Sequence, residues 1–265
     1  MPDFLDTLQH VRPFVCADAD SVSLYFHADA LQSRMSVQHP NQLEVPYTKT
    51  MMGFLLVTPH PAHLLMIGLG GGSLAKFCYH HLPTTRITVV EINPHVIALR
   101  QQFQIPEDDA RFSVICADGA DFVRRARQAF DVVLVDGFDV QGQAAQLSSR
   151  AFYEDCYRSL LPKGVMVVNT DAEHAQHTVL LQRVHKTYHG NFIEVSVQER
   201  SNHIVFAVKG MPISARSMSL SWTLAQHTAE AQAQLKTEFQ RIVQLLDGLE
   251  PLGQRIDQRN PLHLH

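Results

Sequence analysis

The sequence predicts an α/β fold: a seven-stranded, mainly parallel sheet, with a small β segment before it and a helix after it. Three observations support this prediction. Short apolar segments alternate with helical patterns between Pro61 and Gly210. The last two apolar segments are joined by a short polar turn, QERSNH, which indicates an antiparallel hairpin. A glycine-rich turn follows the first segment, as expected where a buried strand leads into a helix.

The glycine-rich turn is the first candidate site. The stretch LLMIGLGGGSLAKF places Gly68, Gly70, Gly71 and Gly72 between a strand and a helix that begins at Ser73. Glycines let the backbone approach a ligand closely, and the free N–H groups of the helix face that ligand. The turn lacks the last glycine of a dinucleotide fingerprint and the lysine–hydroxyl pair of a P-loop. Its G-x-G-x-G spacing is instead similar to that of S-adenosylmethionine-dependent transferases.

Acidic residues end the next three strands. Glu91 follows the first glycine by roughly 20 residues, where a ribose-binding carboxylate is expected. Asp118, followed by Gly119, either accepts the adenine amino group or caps the next helix. Asp136 and Asp139 either take a proton from an amine and hold a cationic acceptor, or serve as turn and cap residues. The polar segment after them, VQGQAAQLSSR, is a candidate lid.

The seven strand candidates are apolar runs bounded by turn residues. They predict a Rossmann-like nucleoside-binding catalytic domain over residues 47–210, preceded by a small β segment over residues 1–46. Residues 211–265 form a helical extension, in which we expect a helix from Leu220 to Leu249. The strands are HLLMIGL, RITVVEI, RFSVICAD, FDVVLVDG, GVMVVNTD, NFIEVSV and HIVFAVKG.

Composition limits the classes of partner. The chain has 265 residues, a net charge of −4, 45% hydrophobic and 18% charged residues. We expect a cytoplasmic protein with no nucleic-acid and no membrane partner.

Two histidine pairs are candidate metal ligands. His174 with His177, and His185 with His189, have spacings at which side chains share a helix face. No carboxylate or cysteine recurs at a spacing that completes a ligand set, so we expect no metal.

Taken as a series, these motifs resemble the spermidine synthase family, the polyamine aminopropyltransferases. GLGGGS, VVEINPHVI, the AD-G step, FDVVLVDGFD and AFYEDCYRSLLPKGV carry the resemblance, which extends over roughly Leu64 to Lys209. The chain is then a divergent member within the S-adenosylmethionine-dependent methyltransferase-like superfamily, whose sheet has seven strands. The resemblance implies transfer of an aminopropyl group from decarboxylated S-adenosylmethionine to a small amine, with methylthioadenosine as the second product and no metal.

The resemblance also implies roles for particular residues. The donor would contact the glycine turn from Gly68 to Ser73, with Glu91 on the ribose and Asp118 and Gly119 at the adenine. Asp136 would be the base that deprotonates the acceptor. The acceptor-binding residues would be Gln42, Tyr47 and Asp139.

Departures from the family pattern leave three interpretations. Ser73 stands where the family has an aspartate that pairs with the donor amine, and Thr48 and Lys49 replace the histidine and glutamate that follow the tyrosine. The first interpretation is an aminopropyltransferase. The second is a methyltransferase that uses intact S-adenosylmethionine and releases S-adenosylhomocysteine, and the third is a non-catalytic nucleoside-binding protein. A homodimer is left open, with the β segment and the C-terminal helix as candidate contact surfaces.

Overall fold

A small antiparallel sheet precedes the main sheet. The computed structural model describes residues 10–27, 30–139, 142–197, 201–214 and 219–248. Asp18 shapes the first turn, because its Oδ1 accepts hydrogen bonds from the N–H groups of Asp20 and Ser21. Val22, Leu24 and Met35 are buried in the same core as the main sheet. The strands are β1 (Phe14–Ala17), β2 (Ser21–His27) and β3 (Ala30–Ser36).

The predicted seven-stranded sheet is confirmed. Its first five strands are parallel, and the last two form an antiparallel hairpin that pairs with the fifth. A separate two-stranded ribbon lies between the fourth and fifth of these strands, with β8 (Phe138–Asp139) and β9 (Gly142–Gln143). The strands of the main sheet are β4 (His63–Ile67), β5 (Arg86–Glu91), β6 (Phe112–Cys116), β7 (Phe130–Val135), β10 (Leu160–Asp171), β11 (Phe192–Ser196) and β12 (Asn202–Val208).

The strand order locates the ligand-binding edge. The order is β11-β12-β10-β7-β4-β5-β6, so the chain builds outward from β4 to β6 and then returns to the other side of β4 with β7. Two connections diverge at the carboxyl end of β4, and such a switch point opens a crevice for a ligand. The residues that follow β4, β5 and β7 therefore meet at one edge.

Helices cover both faces of the sheet, which explains why its central parallel strands, β4 and β7, are buried and mainly apolar. On β4, Leu64 and Met66 pack toward one helical layer and Leu65 and Ile67 toward the other. Two 3₁₀ segments, Met52–Leu56 and Ala145–Ser148, complete the connections. The helices between and before the strands are α1 (Pro46–Met51), α2 (Ser73–His81), α3 (Pro94–Ile97), α4 (Gly119–Arg125), α5 (Arg150–Ser159) and α6 (His177–Thr187).

The C-terminal helix is present but interrupted, so the single helix expected over Leu220 to Leu249 is wrong in its continuity. Its described part forms α7 (Leu220–Ala225) and α8 (Ala229–Asp247), and Leu249 lies outside the described residues. Thr228 breaks the helix, because its hydroxyl accepts a hydrogen bond from the N–H of Ala231 and begins α8 as an N-cap.

The apolar stripe of α8 packs against the core beside the main sheet. Its buried side chains are Ala231, Leu235, Phe239, Ile242 and Leu246. This stripe follows the spacing that the sequence predicted for an apolar helix face. None of the helices in the described ranges combines the length and apolar character needed to cross a membrane. The domain boundaries at residues 46 and 210 and the cytoplasmic location stay predictions.

Candidate active site

A cavity of about 440 Å³ opens at the carboxyl edge of β4, β5 and β7. Its walls come from the N-terminal sheet, the first turn of α2, the strand ends and the segment after β7. Its size is within the range of pockets that enclose a small molecule. The predicted site residues among its described lining are Tyr47, Gly68, Gly70, Ser73, Glu91, Asp118, Gly119 and Asp136.

The glycine turn brings the backbone of β4 against the end of β7. Gly68 has a φ of +99°, and a Cβ added there would collide with the carbonyl oxygen of Asp136. Only glycine adopts this φ readily and also lets the carbonyl oxygen of Asp136 lie so close to its Cα. Gly70 also has a positive φ, +51°, and beyond it Ser73 begins α2. The free N–H groups of the first turn of α2 therefore lie beside the cavity, where they favour an electron-rich ligand atom.

Two predicted glycines lie behind the cavity wall. A Cβ on Gly71 would press on Ser33 and Phe103, and one on Gly72 would press on Ile105. Neither glycine is among the described lining residues. Their place in the fold indicates a packing role in the turn, and their predicted contact with the donor stays a prediction.

Glu91 is held rigidly at the end of β5. Its Oε2 accepts a hydrogen bond from the N–H of Leu69 at 2.8 Å, and its Oε1 accepts one from the N–H of Asn93 at 2.8 Å. Burial raises the pKa of Glu91, and these backbone bonds offset only part of that effect. Each carboxylate oxygen can accept a second bond. The side chain is thus oriented with acceptor capacity left for hydroxyl groups of a ligand.

Asp118 caps α4, so one of its two predicted alternatives is confirmed. Its Oδ1 accepts hydrogen bonds from the N–H groups of Ala120 and Asp121 at 2.7 and 3.0 Å. Asp118 also lines the cavity together with Gly119, where a Cβ would collide with the side chain of Ile67. Both of these bonds go to Oδ1, and none of the described residues donates to Oδ2, which can accept from a ligand. Capping and ligand binding are therefore compatible.

Asp136 is at the centre of a polar network below the cavity. Its Oδ2 accepts a hydrogen bond from the phenol of Tyr47 at 2.9 Å, and its Oδ1 accepts one from the amide of Asn169 at 2.9 Å. Asn202 in turn donates to Oδ1 of Asn169 at 3.0 Å. Burial raises the pKa of Asp136, and the bonds from Asn169 and Tyr47 oppose that rise only in part.

Sequence reasoning missed two members of this network, Asn169 and Asn202, and both line the cavity. Asn169 lies near the carboxyl end of β10, next to β7 in the sheet. The rule that singled out Glu91 and Asp136, a polar residue where a parallel strand ends, applies equally to Asn169. Asn202 begins an antiparallel strand, for which the rule gives no signal.

The remaining predicted residues are placed as follows. Thr48 is buried and lines the cavity, whereas Gln42 and Lys49 are not among its described lining residues. Asp139 is in β8, and its side chain lies outside the described part of the structure. The predicted lid segment contributes Ala144, Gln146 and Leu147 to the cavity wall, while its motion stays a prediction.

The charges of the cavity have one sign. Among the described lining residues, the acidic side chains are Glu91, Asp118 and Asp136, the only basic type is His10, and no lysine or arginine occurs. A low-dielectric cleft lined by carboxylates concentrates cations. The site thus combines a cradle for a nucleoside with an electrostatic preference for a positively charged ligand.

Comparisons with known proteins agree with this architecture. A model of the spermine/spermidine synthase domain matches residues 44–200. The polyamine aminopropyltransferase of Chromobacterium violaceum is 37% identical over 225 residues, covering 84% of this chain and 85% of the relative.

Solved structures share the fold. A probable spermidine synthase from Corynebacterium glutamicum has a TM-score of 0.67 at 18% identity, covering 81% of this chain and 82% of that one. A spermidine synthase in complex with the transition state analogue AdoDATO has a TM-score of 0.60 at 19% identity, covering 93% and 87%. The predicted α/β fold and family resemblance are both confirmed. The chain belongs to the spermine/spermidine synthase family, as a transferase with a methyltransferase-like fold.

Proposed function

We propose that this enzyme transfers an aminopropyl group from decarboxylated S-adenosylmethionine to a small amine. The observation that carries the proposal is Asp136, a carboxylate held by Tyr47 and Asn169 at the edge of the cavity. Among the described lining residues of this cavity there are Asp and Glu side chains but no Lys or Arg. Both substrates of this reaction are cations, because one carries a sulfonium and the other an ammonium. The family and the aminopropyltransferase relative support the same reaction.

The donor nucleoside occupies the crevice between the glycine turn and the end of β5. The two ribose hydroxyls donate to Glu91, whose orientation is fixed by Leu69 and Asn93. The adenine amino group donates to Asp118 beside Gly119. The sulfonium then lies near Gly68 and Gly70, where the backbone leaves room for it. A structure of a spermidine synthase with AdoDATO supports a transferase site in this fold.

The reaction is a direct displacement. The acceptor nitrogen forms a bond to the propyl carbon next to sulfur, and the carbon–sulfur bond breaks with its electron pair remaining on methylthioadenosine. An alkylammonium, with a pKa of about 10.4 for lysine-like amines, must lose a proton before it attacks. Asp136 accepts that proton, directly or through one water. A carboxylate with a raised pKa is a stronger base than an exposed one, which favours this step.

The acceptor approaches Asp136 from the side of Tyr47 and Thr48. Lys49 is not among the described residues of the cavity wall, so it is not one of the described contacts for an acceptor bound there. Asp139 is placed by β8 close along the chain to Asp136 and is proposed to hold the far amine. Gln42 is also proposed to contact the acceptor, although it is not among the described residues of the cavity wall.

Methyl transfer from intact S-adenosylmethionine is the second candidate. One observation favours it: Ser73 lines the cavity where the family has an aspartate, and its hydroxyl lies 3.4 Å from that of Ser33. This part of the wall offers no charge for the donor amine, and so selects less strongly against a donor that keeps its carboxylate. Methyl transfer needs mainly alignment of the acceptor with the sulfonium.

Donor preference tests the proposal. Calorimetric titrations with decarboxylated S-adenosylmethionine, S-adenosylmethionine and methylthioadenosine should show tighter binding of the decarboxylated form than of the intact form. The reverse preference would place methyl transfer first. Binding of none of the three would leave only a non-catalytic role. A Glu91→Gln variant controls for the site, because its donor binding must weaken if the measured heat comes from this cavity.

A further inference from the structure

Three side chains distant in sequence form a compact cluster on the hairpin edge of the sheet. They are His177, the first residue of α6, Glu194 on β11 and His203 on β12. Nε2 of His177 lies 2.7 Å from Oε1 of Glu194, and Nδ1 of His203 lies 2.6 Å from the same oxygen. The hairpin register sets this arrangement, because His203 pairs with Ser196, two residues from Glu194 on the same face.

The cluster has the composition of a transition-metal site. It offers two imidazole nitrogens and one carboxylate oxygen, and these atoms all lie within 4.8 Å of one another. Imidazole and carboxylate are ligands that Zn²⁺ accepts in tetrahedral sites, at about 2.0–2.2 Å. Small side-chain movements would bring these three atoms to ligand distance from a single ion. The sequence pairs His174–His177 and His185–His189 do not form this site, because the partners of His177 come from the hairpin.

Protonation is compatible with metal binding. Both imidazole nitrogens lie at hydrogen-bond distance from one carboxylate oxygen of Glu194, which can only accept from them. Nδ1 of His177 is buried and has no hydrogen-bond partner in the described part of the chain. An ion at this position replaces the Nε2–H···Oε1 hydrogen bond to Glu194, and the single ring proton of a neutral imidazole then resides on Nδ1, which leaves the Nε2 lone pair for the ion.

The cluster is partly open to solvent. The side chains of His177, Glu194 and His203 are 12%, 28% and 28% exposed. An ion can therefore enter, and water can supply the fourth ligand of a tetrahedron. None of the three lines the active-site cavity as described, although Asn202, next to His203, does. The cluster is separate from the proposed chemistry and adjacent to the network that holds Asp136.

We propose that His177, Glu194 and His203 bind a divalent transition metal of the zinc class and thereby tie the start of α6 to the β11–β12 hairpin. The ion has no part in aminopropyl transfer. It adds a cross-link between the start of α6 and the β11–β12 hairpin to the hydrogen bonds that His177 and His203 make with Glu194. Binding to the folded protein alone then stabilises the fold.

Zinc titration of the full chain tests this proposal, with the ion competed against a chromophoric chelator. His203→Gln should weaken Zn²⁺ binding by more than the roughly 10- to 100-fold typical for loss of an outer-shell partner. A second cluster, His80, His81 and Glu230, is the matched control, because its atoms meet the same 4.8 Å limit. His80→Gln should leave the tightest binding event unchanged. Zn²⁺ should also raise the Tm of the wild type but not of His203→Gln.

Co²⁺ in the wild-type protein provides a second measurement that does not depend on the folding of a variant. Intense visible d–d bands are expected from a four-coordinate site, and they should disappear when Zn²⁺ displaces Co²⁺. The proposal is overturned if the wild type shows no such bands, or if His203→Gln binds Zn²⁺ as tightly as the wild type. It is also overturned if His80→Gln abolishes the tightest binding, since the ion would then occupy the other cluster.

Discussion

The phenol of Tyr47 donates a hydrogen bond to Oδ2 of Asp136 at 2.9 Å and so joins α1 to the carboxyl end of β7 across 89 positions of sequence. Asn169 fills the other carboxylate oxygen from β10. The carboxylate is therefore fixed by two donors from two different elements. Its orientation toward the cavity is set by the fold and needs no substrate to form.

Asp136→Asn should lower kcat by about 10²- to 10⁴-fold, the usual contribution of a general base. The fold should persist, because the new amide can donate to the Tyr47 oxygen while its carbonyl still accepts from Asn169. Steady-state rates at saturating donor measure the effect. The control is Asp131→Asn on the same strand, where the described donors to the carboxylate are the N–H groups of Ala62 and His63. A control as inactive as Asp136→Asn would contradict the assignment.

Tyr47→Phe should move the acidic limb of the kcat/KM profile to higher pH. Burial raises the pKa of Asp136, and the Tyr47 bond lowers it in part. Removing that donor disfavours the carboxylate, so the pKa rises further and a higher pH is needed to ionise the base. Tyr79→Phe is the control, because its phenol makes a similar bond to Asp109 on the surface. An unshifted limb in Tyr47→Phe would argue that Asp136 does not limit the rate in acid.

Glu91→Gln should raise the KM or Kd for the donor roughly tenfold or more, since a hydrogen bond to a charged acceptor is worth about 1.5–3 kcal/mol. It should also reduce the free energy of unfolding by about 1–3 kcal/mol, because an amide can accept from only one of Leu69 and Asn93 and leaves the other N–H unpaired. Glu154→Gln, in a surface pair with Arg150, should change neither quantity. Unchanged donor affinity would remove Glu91 from the ribose site.

Lys76 makes stability depend on alkaline pH. Its side chain is buried, its Nζ donates to the carbonyl of Phe103 at 2.8 Å, and burial lowers its pKa from 10.5 to about 8. Between these values the unfolded chain binds a proton at Lys76 that the folded chain has released, so the contribution of Lys76 to the free energy of unfolding rises with pH. The full difference is about 3 kcal/mol.

Lys76→Met should abolish this rise while keeping the buried volume. Denaturant unfolding between pH 7.5 and 10 measures it as the difference in slope between variant and wild type. Burial of the lysine causes this effect, so Lys236→Met, which replaces an exposed lysine of α8, should retain the wild-type slope. Identical slopes in wild type and Lys76→Met would mean that Lys76 stays charged when buried.

Local sequence patterns predicted the scaffold well, but they did not predict contacts between residues that are distant in the sequence. The central strands β4 and β7 are buried on both faces and consist mainly of apolar residues. Glu91 ends β5, and Asp118 and Asp136 lie within two residues of the ends of β6 and β7. The bonds from Tyr47 and Asn169 to Asp136 span 89 and 33 positions, and no periodicity records them. The break before α8 depends on a single N-cap, Thr228, within an otherwise helical pattern.

Product analysis decides whether this enzyme transfers an aminopropyl group. The purified protein is incubated with decarboxylated S-adenosylmethionine and a panel of linear diamines, and the products are quantified by mass spectrometry. We expect methylthioadenosine and the aminopropylated amine in equal amounts, and we expect both products to be lost in Asp136→Asn. Formation of S-adenosylhomocysteine and a methylated amine from intact S-adenosylmethionine, with no methylthioadenosine from the decarboxylated donor, would contradict it.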